Sequence, residues 1–400
     1  MRKSILAIWL AALVGVLASR AALAWNDMGH QIIAIIAGHY LSDGARAQAE
    51  ALLQSDTDSL TAHDLAGASI WADKYRDSDK NTTRARYEHT WRWHFADIDA
   101  GRPNIPAACF GQPTLTRGTD ASDGPAKDCV IDKINQFAAE LADPKVGATE
   151  RLLALKYVLN LVGDVHQPLN VVEEGNHHGM NVSVAARAVT PGDLYDYWDD
   201  VFVHRLGTNA QDVANKLMSR ITPADVQQWS SAAPQLWALE AHQLGVDRAY
   251  GLRYQTDASG TPVLEDDYVD VAVQTVGLQL SRAGVRLAYL INQALTPGSM
   301  PAPATALEGR GNPSSGRAFA VVRCRICHVV TADQPDANAA ALAPDFQAIA
   351  NTRGMNDTAL REFLLGPHPT MPTLHLTPKQ TNDVIAYILS LTTNPSSKSH

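Results

Sequence analysis

The stretch 152–169 reads LLALKYVLNLVGDVHQPL, and the rest of the chain can be interpreted from it. Its apolar residues cover nearly every face of a helix, which is typical of a helix buried in a larger protein. We expect one long helix that carries an acid, Asp164, in its middle and stops at Pro168. A buried carboxylate needs a partner, because an unpaired charge is costly or takes up a proton. Asn160 lies one turn earlier on the same face, and Gly163 permits close approach. On this stretch alone, the polar groups could equally cap neighbouring backbone.

Length and composition are those of a globular protein with more than one domain. The chain has 400 residues, of which 46% are hydrophobic and 19% charged, and its net charge is −9. This charge argues against a protein that holds nucleic acid mainly through a basic surface, but not against one that binds phosphate through metal ions. After the first residues no stretch is apolar for 18 positions, so we expect no membrane anchor.

The first 24 residues have the pattern of a secretory signal peptide. Arg2 and Lys3 precede an apolar run over 5–17, and ALA at 22–24 is a small-x-small cleavage site. Cleavage there would make Trp25 the first residue of the mature protein. We therefore expect an exported protein, periplasmic or extracellular.

Two of the four cysteines predict a disulfide. Cys109 and Cys129 lie in a loop over about 100–130 that is rich in Pro, Gly and Asp. In an oxidising compartment a disulfide that closes this loop is the simplest interpretation. The loop-entropy model gives it roughly 3 kcal/mol of stabilisation.

Periodicity predicts a mainly α protein with little sheet. The predicted helices are 25–41, 42–53, 63–76, 131–141, 212–218, 223–244 and 268–295, with a further helical run from 194. Residues 90–99 are expected to be irregular or briefly extended, and 171–190 to include a short hairpin.

A change of composition to Pro, Gly, Ser and Ala over 297–316 predicts a linker. It divides the chain into a signal peptide (1–24), a large domain (25–296), the linker and a small domain (317–394), followed by a tail (395–400).

The small domain contains the attachment pattern of a c-type haem. In Cys324-x-x-Cys327-His328 the two thiols would form thioethers to the haem, and the histidine would bind the iron. A CxxC alone could be a redox pair or half a zinc site, but the chain has no second CxxC and His328 follows directly. We expect Met371, in PHPTMP, as the sixth ligand, with Met355 as its rival.

A helix that enters this motif and a terminal helix over 380–391 complete the pattern. The segment 316–392 therefore resembles a small class I cytochrome c. The resemblance implies an all-α domain with haem c that transfers electrons to or from a redox partner protein. Histidine and methionine ligation raises the reduction potential, which suits an electron carrier.

Four fragments of the large domain fall in a recognisable order: WNDMGH (25–30), SIWAD (69–73), WHFAD (93–97) and GDVHQPL (163–169). Together they resemble the single-strand-specific zinc nuclease family, which is related to the zinc-dependent phospholipases C. The resemblance covers 25–295. It implies a helical domain that holds three zinc ions with nine ligands and cleaves single-stranded DNA or RNA.

The resemblance assigns two zinc sites to residues of these fragments. One site takes the terminal amine and carbonyl of Trp25 together with His30 and Asp164. The other takes Asp73 and His94 and shares Asp164 as a bridging ligand.

Three of the nine ligand positions hold residues that bind zinc poorly. The second site has Asn160 where the family has histidine. The third site has Asn170 and Tyr195 in place of two histidines and keeps Asp199. A carboxamide is a weak neutral ligand, so we expect one or two ions. Three histidines could substitute for the lost ligands or could simply face solvent: His166, His177 and His178.

Three further residues receive roles from the resemblance, in addition to Asp73. Phe95 lies next to a metal histidine and could stack on a base, or it could belong to the core. Arg76 and Asp97 stand where the family keeps residues that orient the attacking water and bind phosphate, with surface ion pairing as the alternative.

Two functions of different classes follow. The first is a metal-dependent phosphodiesterase that cleaves single-stranded nucleic acid. The second is a hydrolytically inactive scaffold that keeps one metal, zinc or copper, beside the haem or acts as a binding module. The four fragments favour the first, whereas the replaced ligands and the fused haem motif favour the second.

Overall fold

A computed structural model describes the chain between residues 25 and 392, with gaps. The residues that it does not describe are 1–24, 111–114, 117, 188, 231–232, 252–253, 257–259, 261, 297–310, 325–327, 332–343, 353–354, 356, 358–359, 362–363, 365–375, 377 and 393–400. The predicted signal peptide, most of the predicted linker, Cys327 and Met371 therefore lie outside the described residues.

The large domain is helical and is organised around one central helix, Ala148–Asp164, which packs against helices that precede it and one that follows it in the chain. The helices up to and including it are α1 (Asp27–Tyr40), α2 (Asp43–Gln54), α3 (Leu65–Ala68), α4 (Trp71–Asp77), α5 (Ala85–Thr90), α6 (Ile105–Ala108), α7 (Val130–Ala142) and α8 (Ala148–Asp164). Those that follow are α9 (Leu194–Asp196), α10 (Phe202–Leu206), α11 (Ala210–Met218), α12 (Pro223–Trp229), α13 (Pro234–Leu244) and α14 (Asp266–Leu295).

The central helix ends earlier than its sequence predicts. Asp164 is its last residue rather than a residue in its middle. The chain then tightens, because the amide N–H of His166 donates to the carbonyl of Gly163 at 2.9 Å, and Pro168 opens a separate 3₁₀ turn. The Asp164 carboxylate therefore lies at the negative end of the helix dipole, where a cation is favoured.

Two other predicted helices are interrupted. The helix expected over 63–76 breaks at Ser69 and Ile70, and the one expected over 223–244 breaks before Pro234, which begins α13. Proline is tolerated only in the first turn of a helix, which explains the second break. The segment 90–99 contains a 3₁₀ helix, Trp91–His94, and is otherwise irregular.

Four short strands form a small sheet, in the spatial order Val189–Asp193, Ser183–Ala186, Pro262–Leu264 and Tyr254–Thr256. The predicted hairpin is present as β1 (Ser183–Ala186) and antiparallel β2 (Val189–Asp193). The strands β3 (Tyr254–Thr256) and β4 (Pro262–Leu264) were not predicted, and β4 pairs in parallel with β1.

The disulfide between Cys109 and Cys129 is present, as predicted. The loop that it closes lies against the indole of Trp93, which donates to the carbonyl of Pro125 at 3.0 Å. It thus supports the segment that carries His94.

The C-terminal part contains α15 (Pro313–Arg323), α16 (Phe346–Asn351) and α17 (Pro378–Ser390). Helix α15 begins inside the predicted linker, because Asn312 caps it and Pro313 occupies its first position. Helices α15 and α17 cross closely: a Cβ at Gly316 would lie 1.9 Å from the carbonyl oxygen of Asp383. None of the described helices is long and apolar enough to cross a membrane.

Candidate metal centre

Four buried side chains from four elements converge at the end of α8. The His94 Nδ1 lies 2.6 Å from Asp164 Oδ2 and 3.7 Å from Asp73 Oδ1. The His30 Nε2 lies 3.3 Å from Asp164 Oδ1 and 3.5 Å from Asp73 Oδ2. All four side chains are at most 2% exposed. The structure therefore brings together these four predicted ligands.

Gly163 is the residue that lets α1 approach α8 at this point. A Cβ at Gly163 would lie 2.7 Å from His30 Nδ1, which is closer than real Cβ atoms come. The group that approaches Gly163 closely, as the sequence predicts, is therefore the predicted ligand His30.

Trp25 is fully buried beside the same cluster. Its indole donates to the carbonyl of Gly163 at 2.9 Å. The next amide, that of Asn26, donates to the carbonyl of Asp199 at 3.2 Å, and the Asn26 side chain caps α1. The predicted first residue of the mature protein is thus held between α8 and the Asp199 segment.

Arg76 is buried in the cluster rather than paired at the surface. Its Nη1 lies 2.9 Å from Asp73 Oδ1, and its Nε donates to Asp77 Oδ1 at 2.8 Å. Burial alone would lower the pKa of Arg76, but the charges of Asp73 and Asp77 raise it. Its Nη2 makes no hydrogen bond within the described residues. This guanidinium remains charged and can donate to a bound anion.

The cluster buries three carboxyl groups, those of Asp73, Asp164 and Asp199, beside one guanidinium and two histidines. Burial and the neighbouring Asp73 raise the pKa of Asp199 well above its ordinary value. For Asp164 burial would raise the pKa, but His94 and His30 lower it, so this group stays ionised.

Carboxyl groups buried this close together call for a cation or for protons. Several buried polar atoms of these side chains, among them His94 Nε2 and Asp199 Oδ1, make no hydrogen bond in the described part of the chain. Histidine nitrogens and aspartate oxygens are the donor set that zinc prefers. The residues His30, Asp73, His94 and Asp164 therefore fit a metal centre.

Asn160 supports this centre as a hydrogen-bond donor. Its Nδ2 donates to Asp73 Oδ2 at 2.8 Å and to the Ser69 carbonyl at 2.9 Å. A neutral amide that donates to a carboxylate holds that carboxylate in place.

The residues of the predicted third site do not fit a zinc ion. The Tyr195 hydroxyl donates to Asn170 Oδ1 at 2.7 Å, and Asn170 Nδ2 donates to the His94 carbonyl at 3.2 Å. Both side chains are fully buried. The two replacements bond to each other, which leaves Asp199 as the one conventional zinc ligand among the three.

None of the three nearby histidines points into the cluster as a substitute ligand. His166 is buried, bonded through Nδ1 to the Val162 carbonyl at 2.7 Å and through Nε2 to Arg286 at 2.8 Å. Burial lowers the pKa of His166 well below its ordinary value, and the charge of Arg286 adds to this. His178 is buried against other partners, and only His177 faces solvent as a loop residue.

Phe95 belongs to an aromatic cluster and is 4% exposed. Its ring lies 5.0 Å from Trp91 and 4.8 Å from His178, centroid to centroid. It lines one side of a pocket of about 300 Å³, together with Asp97 and Phe110. The sequence did not reveal the part of His178 in this pocket, because residues 97 and 178 are far apart in the chain.

The C-terminal unit buries His328 and Cys324. The His328 Nδ1 lies 2.7 Å from the carbonyl of Pro344, so it carries the proton, and the lone pair of the neutral ring is on Nε2. This is the tautomer that a metal-binding histidine needs. Met355, the rival axial ligand, is half-buried and packs against the hydrophobic core of this unit.

Comparison with known proteins identifies relatives of the large domain. A protein-family model described as S1/P1 Nuclease matches residues 25–296. Endonuclease 2 of Arabidopsis thaliana is 26% identical over 290 residues, which cover 67% of this chain and 90% of that protein. Nuclease P1 of Penicillium citrinum is 23% identical over 285 residues, with 67% and 97% covered. Nuclease S1 of Aspergillus oryzae is 25% identical over 290 residues, with 66% and 89% covered.

Proposed function

Since the chain belongs to the S1/P1 nuclease family over residues 25–296, we propose that its large domain is a zinc-dependent nuclease of single-stranded nucleic acid. We infer further that the protein is exported to the periplasm or beyond and that its C-terminal domain carries a c-type haem for electron transfer. The observation that carries the nuclease proposal is the convergence of two histidines and two aspartates on one buried guanidinium.

Two zinc ions can be held by the residues present. Trp25, His30 and Asp164 would hold one, and Asp73, His94 and Asp164 the other. When bound, zinc lowers the pKa of water and polarises a phosphate oxygen. The pair of Asn170 and Tyr195 supports no third ion.

The chain's own side chains would position the substrate. Arg76, with Nη2 not used by the described residues, would donate to a phosphate oxygen and offset its charge. Asp97 is one-third exposed in the adjoining pocket and would accept a hydrogen bond from substrate or from the attacking water. Phe95, which is 4% exposed, would contact substrate as one wall of this pocket.

A nuclease assay with a matched ligand variant tests this function. We expect purified full-length protein with zinc to cleave single-stranded DNA faster than double-stranded DNA. His30→Ala should lose most of this activity while keeping its helical circular dichroism spectrum. Cleavage by the wild-type protein that does not exceed that of His30→Ala would refute the proposal.

For the C-terminal domain we propose covalent haem on Cys324 and Cys327, with His328 and Met371 as iron ligands. Support comes from the buried His328, oriented by Pro344, and from the close crossing of α15 and α17. The pyridine haemochrome spectrum should show haem held by two thioethers in the wild-type protein and by at most one in Cys324→Ala, in which Cys327 remains. Met371→Ala, and not Met355→Ala, should remove the methionine-to-iron absorption band.

The bond between Tyr195 and Asn170 favours a second candidate function, a hydrolytically inactive domain that serves the cytochrome. This domain would keep one metal near Trp25 and His30, and metal and haem would be coupled. Removing the metal would then shift the haem potential. Robust nuclease turnover with an unchanged potential would exclude this candidate.

A further inference from the structure

The pocket next to the metal centre has aromatic walls and an acidic wall. It encloses about 300 Å³ and is lined by Trp91, Phe95 and Phe110, with Asp97 and His178 beside them. His178 is 8% exposed, so it is part of the pocket's structure rather than a mobile surface side chain.

The hydrogen bonds of His178 define its role. The Nδ1 faces two carbonyl oxygens, those of Leu169 at 2.8 Å and Val172 at 3.1 Å, so Nδ1 carries a proton. The Nε2 lies 3.1 Å from Asp97 Oδ1. With Nδ1 protonated, Nε2 can donate to the Asp97 carboxylate only as an imidazolium, which gives an ion pair.

The backbone around His178 is strained. His177 and His178 have φ values of 54° and 57°, in the left-handed region of the backbone that residues other than glycine seldom adopt. Such strain clusters at functional sites. The Glu173 carboxylate holds the loop, accepting the amides of Asn176 at 2.8 Å and His178 at 2.9 Å.

We propose that His178 is a positioning residue for Asp97. It saturates one carboxylate oxygen and thereby fixes the other, which lies 3.4 Å from Arg92 Nη1, as an acceptor for an N–H or O–H group of the bound nucleic acid. This inference rests on the proposed function and adds a residue that none of the four family fragments contains.

The electrostatics of the pocket agree with this role. Burial would raise the pKa of Asp97, but the hydrogen bond and charge of His178, followed by the charges of Arg92 and His177, hold it below its ordinary value. Glu173 is the other charged group here, with its Oε2 3.7 Å from His178 Nε2.

Two asparagine variants distinguish the effect of the contact between His178 and Asp97 from an effect of the loop's backbone conformation. Asparagine tolerates the left-handed region, so His178→Asn keeps the backbone but is too short to reach Asp97. His177→Asn is the control for the loop, because His177 has the same backbone conformation and is exposed, although its side chain also lines the pocket.

In steady-state cleavage of single-stranded DNA, we expect His178→Asn to raise KM about tenfold with little change in kcat, as for a lost hydrogen bond to a charged group. Asp97→Asn should raise KM at least as much, because it alters the proposed acceptor itself. The double variant should be no worse than Asp97→Asn alone, because His178 acts through Asp97. His177→Asn should raise KM much less than His178→Asn, because the charge of His177 is the smallest of these influences on the pKa of Asp97. Additive losses in the double variant would overturn the proposal.

A second measurement needs neither zinc nor turnover. In ¹³C-labelled apoprotein, the carboxyl resonance of Asp97, assigned with Asp97→Asn, should titrate at higher pH in His178→Asn than in the wild-type protein or in His177→Asn. Identical titrations in all three would refute the role of His178. If none of these proteins cleaves nucleic acid, the nuclease proposal fails, while the titration still decides the role of His178.

Discussion

Asn170 and Tyr195 occupy two ligand positions without leaving unpaired groups between them. A histidine pair at these positions would need an ion or water to satisfy its ring nitrogens once buried. The amide and the phenol satisfy each other at 2.7 Å, and the amide also reaches the carbonyl of His94. The replacements therefore act as one unit.

Restoring both histidines should restore a metal site. We expect the double variant Asn170→His/Tyr195→His to bind one more zinc per chain than the wild-type protein, as measured by elemental analysis after gel filtration. The single variants should bind no additional ion, because each pairs one histidine with a non-ligand. Adding Asp199→Asn to the double variant should abolish the gain, and a gain that survives it would contradict this assignment.

Gly163 should be intolerant of even one methyl group. Gly163→Ala places a Cβ at 2.7 Å from His30 Nδ1, so the imidazole must move away from Asp164. We expect at least tenfold weaker zinc binding by calorimetry, in line with other disturbed ligand orientations. Gly277→Ala is the control, because its Cβ would meet only ordinary contacts of 3.4 Å.

Glu140 should make stability depend on pH. It accepts the amide of Ala121 at 2.6 Å, and its pKa is raised to about 8, first by burial and also by the neighbouring Glu150. The folded protein therefore keeps a proton that the unfolded chain releases above about pH 4.5. The free energy of unfolding should fall as the pH rises from 5 to 8.

Glu140→Gln should flatten this dependence in thermal unfolding followed between pH 5 and 8. At pH 8 the variant should melt at a higher temperature than the wild-type protein. Parallel melting curves for the two proteins across this range would show that Glu140 does not carry the effect. The pKa of Lys133 nearby is lowered to about 8, chiefly by burial, so comparisons above pH 8 would mix two groups.

At the level of elements, the disulfide stabilises the loop that it closes, and its contribution can be measured by removing it. Cys109 and Cys129 are 20 residues apart, and the carbonyl of Pro125 in the loop between them accepts from the Trp93 indole. The double variant Cys109→Ser/Cys129→Ser should unfold in urea with about 3 kcal/mol less stability, because the unfolded chain regains loop freedom. A loss well below 1 kcal/mol would mean that the hydrogen bonds of the loop suffice.

The element pattern was predictable where apolar periodicity is long and uninterrupted. Helices α1, α2, α7 and α14 lie within a few residues of their predicted bounds. The end of α8 was misplaced, because a 3₁₀-type bond from His166 to Gly163 competes with the helix before Pro168 is reached. The strands β3 and β4 are three residues each and are held by pairing with β1, which local sequence does not encode.

For the molecule as a whole, we expect the two proposed domains to have separable chemistry. The proposed nuclease centre uses residues between 25 and 199, and the proposed haem ligands lie beyond 323. If the large domain is a nuclease, we expect the haem reduction potential, measured by titration with redox mediators, to be the same with zinc and after chelation. A shift that also occurs in His30→Ala, which lacks the ligand, would point to an effect of the chelator itself.

The candidate site was predictable as a set of residues but not as a network. Short fragments identified His30, Asp73, His94 and Asp164, because zinc chemistry restricts which side chains can serve. The hydrogen bonds of Asn160 and His178 could not be predicted, since each joins residues more than 80 positions apart.

The hydrogen bond between Tyr195 and Asn170 also makes a single substitution of either residue by histidine unfavourable. A lineage that regains one histidine first breaks that bond and buries an unmatched polar group, before any ion is gained in return. Each single step back is therefore unfavourable, and only the two together offer a benefit. Drift alone would therefore tend to preserve the pair of Asn170 and Tyr195.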